Sequence, residues 1–95
     1  METLFVIYDE TFEPEIGAII EQDMIIARYT RIDNVVGARM AEREEIGFLA
    51  DRRNRIILII AESPTIARLA DSLRALRTRK GHGLHAFAVP ASRVV

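Results

Sequence analysis

The stretch Thr78-Arg79-Lys80-Gly81-His82-Gly83 is the part of this sequence best equipped to hold a ligand. Glycines at 81 and 83 allow a backbone to approach a bound group closely and to turn its N–H groups toward it. Arg79 and Lys80 add positive charge beside those donors, and Lys80 is the only lysine in the chain. Such a turn suits a phosphate group. The same residues also read as an ordinary helix C-terminus, where basic residues oppose the negative end of the helix dipole and glycine takes the left-handed cap. The local pattern leaves both open.

Other chemistry is sparse. His82 and His85 are the only histidines. A metal site built on them would have to recruit carboxylates from elsewhere, and residues three apart on a strand tend toward opposite faces. Ser63 reads as a helix cap, Ser72 lies on a helix between Asp71 and Leu73, and Ser92 lies near the end of the sequence. Nothing nominates a base and an orienting acid for any of them. No catalytic residue, and hence no enzyme activity, is expected. Glu42, Glu44 and Glu45 alternate with arginine and read as a solvated face. Met40, Ile46, Phe48 and Leu49 lie in the same charged stretch. They either form a partner-binding knob or fold back onto the domain.

The elements that must position these residues follow from hydrophobic pattern. Leu4–Tyr8 is a nearly continuous apolar run and reads as a buried strand. Pro14 suits the start of a helix, Glu13 and Glu15 favour its positive end, and Ile16, Ile19 and Ile20 carry it to about Gln22. Met24–Val36 reads as a second strand ending at Gly37. Residues 38–54, rich in Arg and Glu, read as a long connection that is functional or disordered. Arg55–Ala61 is a third strand, apolar on both faces. Ser63 as N-cap and Pro64 at the first helical position open the best-specified helix, which ends at Arg77-Thr78-Arg79-Lys80-Gly81. Leu84–Val89 is a fourth strand stopped by Pro90, and residues 91–95 form a short edge piece.

The order β-α-β-loop-β-α-β is the split βαβ, ferredoxin-like arrangement of α+β class, with an antiparallel four-stranded sheet and both helices on one face. A sheet with one face in water alternates apolar and polar residues. LFVIY and RIILII do not alternate, so a second copy of the chain is expected to cover the free face.

Composition narrows the classes further. The 95 residues fit one domain, 1–95, with 49% hydrophobic and 28% charged residues. A formal charge of −1 argues against nucleic acid as a partner. The absence of cysteine removes disulfides and thiolate chemistry and fits a cytoplasmic protein. METLFVIYDE lacks a basic leader and is not expected to be a signal peptide, and no apolar run has the length of a membrane span.

With these residues in place, the chain resembles the PII-like signalling proteins over almost its whole length. The element order matches, and the second strand ends at Gly37, where the family's T-loop begins. Glu62 and a Pro-started helix follow RIILII. T-R-K-G-H-G resembles the family's B-loop pattern T-G-K-x-G-x-G, and L-H-A-F-A-V-P-A-S-R-V-V resembles its fourth strand and the segment after it. The resemblance implies a homotrimer of ferredoxin-like subunits that binds an adenine nucleotide (ADP, AMP, ATP or a cyclic nucleotide) in clefts between subunits and uses no cofactor. It implies a T-loop-like segment, 38–54, that controls a transporter or an enzyme, with Met40, Ile46, Phe48 and Leu49 as its partner-binding residues. Gly37 and Arg39 would stand at the T-loop base. Arg79, Lys80, Gly81 and Gly83 would surround phosphates, and Thr30 and Glu62 would lie near the nucleoside.

Departures from the family pattern also appear. The T-loop region is a few residues shorter than in the nitrogen regulators and has no tyrosine to uridylylate. Leu84 and His85 stand where a second phosphate-binding lysine is expected, and the sequence ends at Val95, before an arginine-bearing C-terminal loop. They favour a weaker, smaller or different ligand than tightly held ATP. Two alternatives remain at this point: a CutA-like trimer concerned with divalent metal, and a structural interaction domain without a ligand.

Overall fold

Strand β1 (Glu2–Asp9) buries Leu4, Val6 and Tyr8 and leaves Phe5 and Ile7 only half covered. Its apolar run therefore serves two different faces. In the computed structural model, which describes residues 1–23, 29–36 and 53–95, β1 lies in the interior of a four-stranded sheet. A 3-10 turn (Glu10–Phe12), capped by the Asp9 carboxylate on the Thr11 backbone N–H, leads into α1 (Glu13–Gln22). Then come β2 (Thr30–Val36), β3 (Arg53–Ala61), α2 (Ser63–Lys80) and β4 (Leu84–Pro90). The strand order is β2-β3-β1-β4 and every neighbouring pair is antiparallel. This is the expected α+β ferredoxin-like arrangement.

Several boundaries differ from the sequence expectation. The second strand is described only from Thr30, because residues 24–28 of the expected strand lie outside the described residues. The third strand starts two residues early: Arg53 and Asn54 pair with Val36 and Val35, which gives their backbone groups ladder partners. The expected 38–54 connection thus loses its last two residues to β3, and residues 38–52 lie outside the described residues. Helix α2 is capped at Glu62 rather than Ser63, and no side chain bonds the cap. The first turn closes through the Ile66 N–H on the Glu62 carbonyl at 3.1 Å, and Pro64 sits where a missing N–H costs nothing. Beyond β4 the expected edge piece at 91–95 is not a strand. The ladder continues by one bond, from the Ala91 N–H to the Met1 carbonyl at 3.0 Å.

Leu4, Val6 and Tyr8 of β1 and Ile57 and Ile59 of β3 face the helices, where Ile16, Ile66, Leu69, Leu73 and Leu76 complete the core. The opposite face is built in cross-strand rows. Phe5 lies between Leu58 and Phe87, Ile7 between Ile56 and His85, and Thr3 between Ile60 and Val89. Ile60 and Phe87 are 61% and 58% exposed, so this open face is apolar in the isolated chain.

A bulge between Ile32 and Val35 inserts one residue into β2, with Asn34 at a φ of 60°. Asn accepts this left-handed conformation more readily than most residues. Alternation puts Arg31 and Asp33 on the helix side, and the bulge turns Val35 to the open face, where it pairs with Asn54 as Ile32 pairs with Ile56. Its effect is to separate a charged pair from an apolar one along a single short strand.

Candidate functional site

The glycine turn joins α2 to β4. Gly81 takes the left-handed cap with φ at 79°, and its N–H donates to the Arg77 carbonyl at 2.8 Å. Gly83 has φ at 73°, and its carbonyl accepts from the Asp9 N–H at 2.8 Å. Only glycine fits the second position comfortably. A Cβ there would lie 3.0 Å from Phe12 Cε2 and 3.3 Å from the Asp9 Cβ. The turn is therefore pressed onto the 3-10 segment, and the buried Phe12 ring is its floor. His82 tilts against that ring with centroids 5.9 Å apart. Lys80 reaches back over it, with Nζ 5.3 Å from the ring centre and 3.7 Å from Glu15 Oε1. Arg79 is exposed.

Of the other residues singled out in the sequence, Glu62 is exposed and lies 3.8 Å from the Met1 amine. It stands at the opposite end of α2 from the turn, and 18 residues of helix separate the two by about 27 Å. Thr30 is exposed on β2, opposite Leu58, on the open sheet face. One chain therefore does not bring Thr30 and Glu62 to the glycine turn. Gly37, Arg39, Met40, Ile46, Phe48 and Leu49 lie outside the described residues. Their flanks are placed: Val36 pairs with Arg53 at the sheet end where Tyr8 pairs with Leu84 and Asp9 pairs with Asn54. The glycine turn and the strand ends that bracket residues 37–52 thus share one end of the sheet.

Next to that end lies a charged cluster that sequence reasoning missed. Glu13 opens α1 and receives three donors: the Tyr8 hydroxyl, Arg55 Nη1 at 3.1 Å and Arg31 Nη1 at 2.9 Å. Asp33 holds the other edge of both arginines, with Arg31 Nε at 2.9 Å and Arg55 Nε at 3.4 Å from its Oδ1. Burial pushes the Glu13 carboxyl up, but the Tyr8 hydroxyl and the two guanidinium groups outweigh it and hold the group below the ordinary carboxylate value. Burial, then the bond and charge of Glu13, hold the Tyr8 phenol well above its ordinary value, so it stays a donor. Two cations balance two anions, and the cluster ties β2 and β3 to the start of α1. One signal was legible: Arg31, Asp33 and Arg55 are charges set among apolar strand residues, and positions 31 and 33 share a strand face.

The histidines do not converge. His82 leans on Phe12, whereas His85 stands on the open sheet face opposite Ile7. Among the described residues no group of three or more histidines and carboxylates could hold a metal ion. No helix among them is long and apolar enough to cross a membrane.

No protein-family model matches the sequence, and no curated protein sequence matches it. Solved structures do. CPII from Thiomonas intermedia, bound to ADP, AMP and acetate, superposes with a TM-score of 0.71 at 14% identity over 97% of this chain and 88% of that one. The same protein bound to ADP and bicarbonate gives 0.69 at 15% identity, over 93% and 82% of the two chains. A DUF3240 family protein from Shewanella baltica gives 0.74 at 12% identity, over 99% and 92%. CPII is described as a nitrogen regulatory PII-like protein. At this level of identity the similarity is one of architecture, and it is nearly complete in both directions: the chain has the fold of the PII-like proteins.

Proposed function

We propose that the chain is a divergent PII-like regulatory protein that binds an adenine nucleotide through the glycine turn, in a cleft completed by a second copy, and acts on a transporter or enzyme through the T-loop-like segment expected at 38–54. The observation that carries this reading is the turn itself. Gly81 and Gly83 both occupy left-handed conformations, Arg79 and Lys80 stand beside them, and the turn sits at the sheet end that brackets residues 37–52. A fold shared with CPII, which holds ADP and AMP, supports the ligand class.

Two further observations agree with a site shared between copies. Thr30 and Glu62 lie too far from the turn to serve it within one chain. The open sheet face, with Phe5, Leu58, Ile60 and Phe87, supplies an apolar surface for a homotrimer. The metal-linked alternative needs His82 and His85 to act together, and their separation disfavours it within one chain.

The test is thermal unfolding of the purified protein with ATP, ADP, AMP and cyclic AMP, each alone. A nucleotide at 100 times its dissociation constant adds about 2.7 kcal/mol per site and raises the midpoint. Lys80→Ala should weaken that nucleotide by about 1–3 kcal/mol, the cost of a lost charged hydrogen bond. No shift with any of the four nucleotides overturns the proposal.

A further inference from the structure

The glycine turn's lysine is already engaged. Lys80 Nζ lies 3.7 Å from Glu15 Oε1 and 5.3 Å from the centre of the Phe12 ring. Its long stem is folded back toward α1 rather than extended past Gly81. Glu15 belongs to the first turn of α1, where the helix dipole favours a carboxylate. The other carboxylate oxygen, Oε2, is buried and has no hydrogen-bond partner among the described residues. Lys80 is the charge partner of this carboxylate among the described residues, at ion-pair rather than hydrogen-bond distance.

We infer that Glu15 is an internal anion for the turn: it occupies Lys80 while no ligand is bound, a phosphoryl ligand must displace it, and Glu15 thereby sets the turn's affinity. The inference rests on the phosphate-binding reading of the turn. The physical argument is a population one. A ligand that needs Lys80 free finds only the fraction of molecules in which the ion pair is open, and its apparent affinity falls by that fraction. Lys80 and Glu15 are 38% and 34% exposed, so water screens the pair and a modest effect is expected.

Because Lys80 is the only lysine, its amine can be followed separately from the Met1 amine. Two measurements on Glu15→Gln, which preserves the side chain's size, test the inference. Isothermal titration with ADP should show affinity tightened by about two- to fivefold, the range an exposed ion pair supplies. That gain should vanish when Lys80→Ala is added. Without ligand, the acylation rate of the Lys80 amine should rise in Glu15→Gln while that of Met1 stays constant. Equal ADP affinity in wild type and Glu15→Gln overturns the inference and leaves the nucleotide reading standing. An unchanged Lys80 rate overturns the occupancy of Lys80 by Glu15. No ADP binding by either protein, with the Lys80 rate raised, overturns the competition by removing the nucleotide reading beneath it.

Discussion

Arg55 on β3 places its Nη1 3.1 Å from Glu13 Oε2, so the first residue of α1 is tied directly to the strand that follows the long connection. Arg31 on β2 joins the same carboxylate at 2.9 Å, and Tyr8 on β1 donates to it. Three strands and one helix therefore meet at a single side chain.

Removing that side chain leaves the Tyr8 hydroxyl and two guanidinium groups without their common acceptor. Glu13 is 31% exposed, so the usual value of a hydrogen bond to a charged group must be discounted for solvent. Glu13→Ala is expected to lower unfolding free energy by about 1 kcal/mol in urea titration at neutral pH. A change indistinguishable from zero would reduce the cluster to a solvated surface network.

The same carboxylate predicts an acid dependence. Glu13 is held below its ordinary value of 4.5, so the unfolded chain takes up its proton first as the pH falls. Its stabilisation is fully present above that value and is lost as the pH drops through the folded-state one. Urea midpoints between pH 6 and 3 should fall more steeply for wild type than for Glu13→Gln; parallel curves would refute this. Tyr8 gives the alkaline counterpart. Its phenol is held above the ordinary 10, so its contribution is present below pH 10 and is lost as the pH rises beyond it. Tyr8→Phe should remove that alkaline component, and tyrosinate absorbance locates it.

The two turn glycines should respond unequally to a methyl group. Both have positive φ, which costs an ordinary residue about 1–2 kcal/mol. A Cβ at Gly81 meets nothing within 4 Å, whereas one at Gly83 meets Phe12 and Asp9. Gly83→Ala should therefore destabilise clearly more than Gly81→Ala in thermal unfolding. Equal losses would mean that Phe12 moves aside at no cost.

The open sheet face gives the test of assembly. Phe87 is 58% exposed and pairs with Phe5 of β1, so a charge there costs the isolated chain little. Burying that charge in an interface is expensive. Phe87→Glu is expected to lower the sedimentation mass from that of an oligomer to that of one chain while leaving the circular dichroism spectrum unchanged. An oligomer that survives the substitution would exclude this face as the interface.

Much of the architecture was legible in one dimension because it rests on local pattern. The run from Leu4 to Tyr8, the Ile16–Ile20 spacing, the helix that ends at Gly81 and the strand after Gly83 are each specified by residues close in sequence. The lack of alternation in β1 and β3 correctly implied a sheet with two apolar faces. What was not legible involves residues far apart along the chain. Glu13, Arg31 and Arg55 form one cluster only because antiparallel pairing lays Arg55 beside Tyr8 and Arg31 opposite Ile57, on the same sheet face. Lys80 was read only with its own turn, as a phosphate ligand or a helix-terminal cation, because nothing nearby in sequence answers its charge; its partner, Glu15, comes from the other helix. The separation of Glu62 from the glycine turn, by contrast, is carried by the helix between them, whose length the sequence already implied. Hydrophobic period and turn chemistry determined which elements form. The packing of those elements decided which charges meet, because the distance between side chains is set by strand register and helix docking rather than by position along the chain.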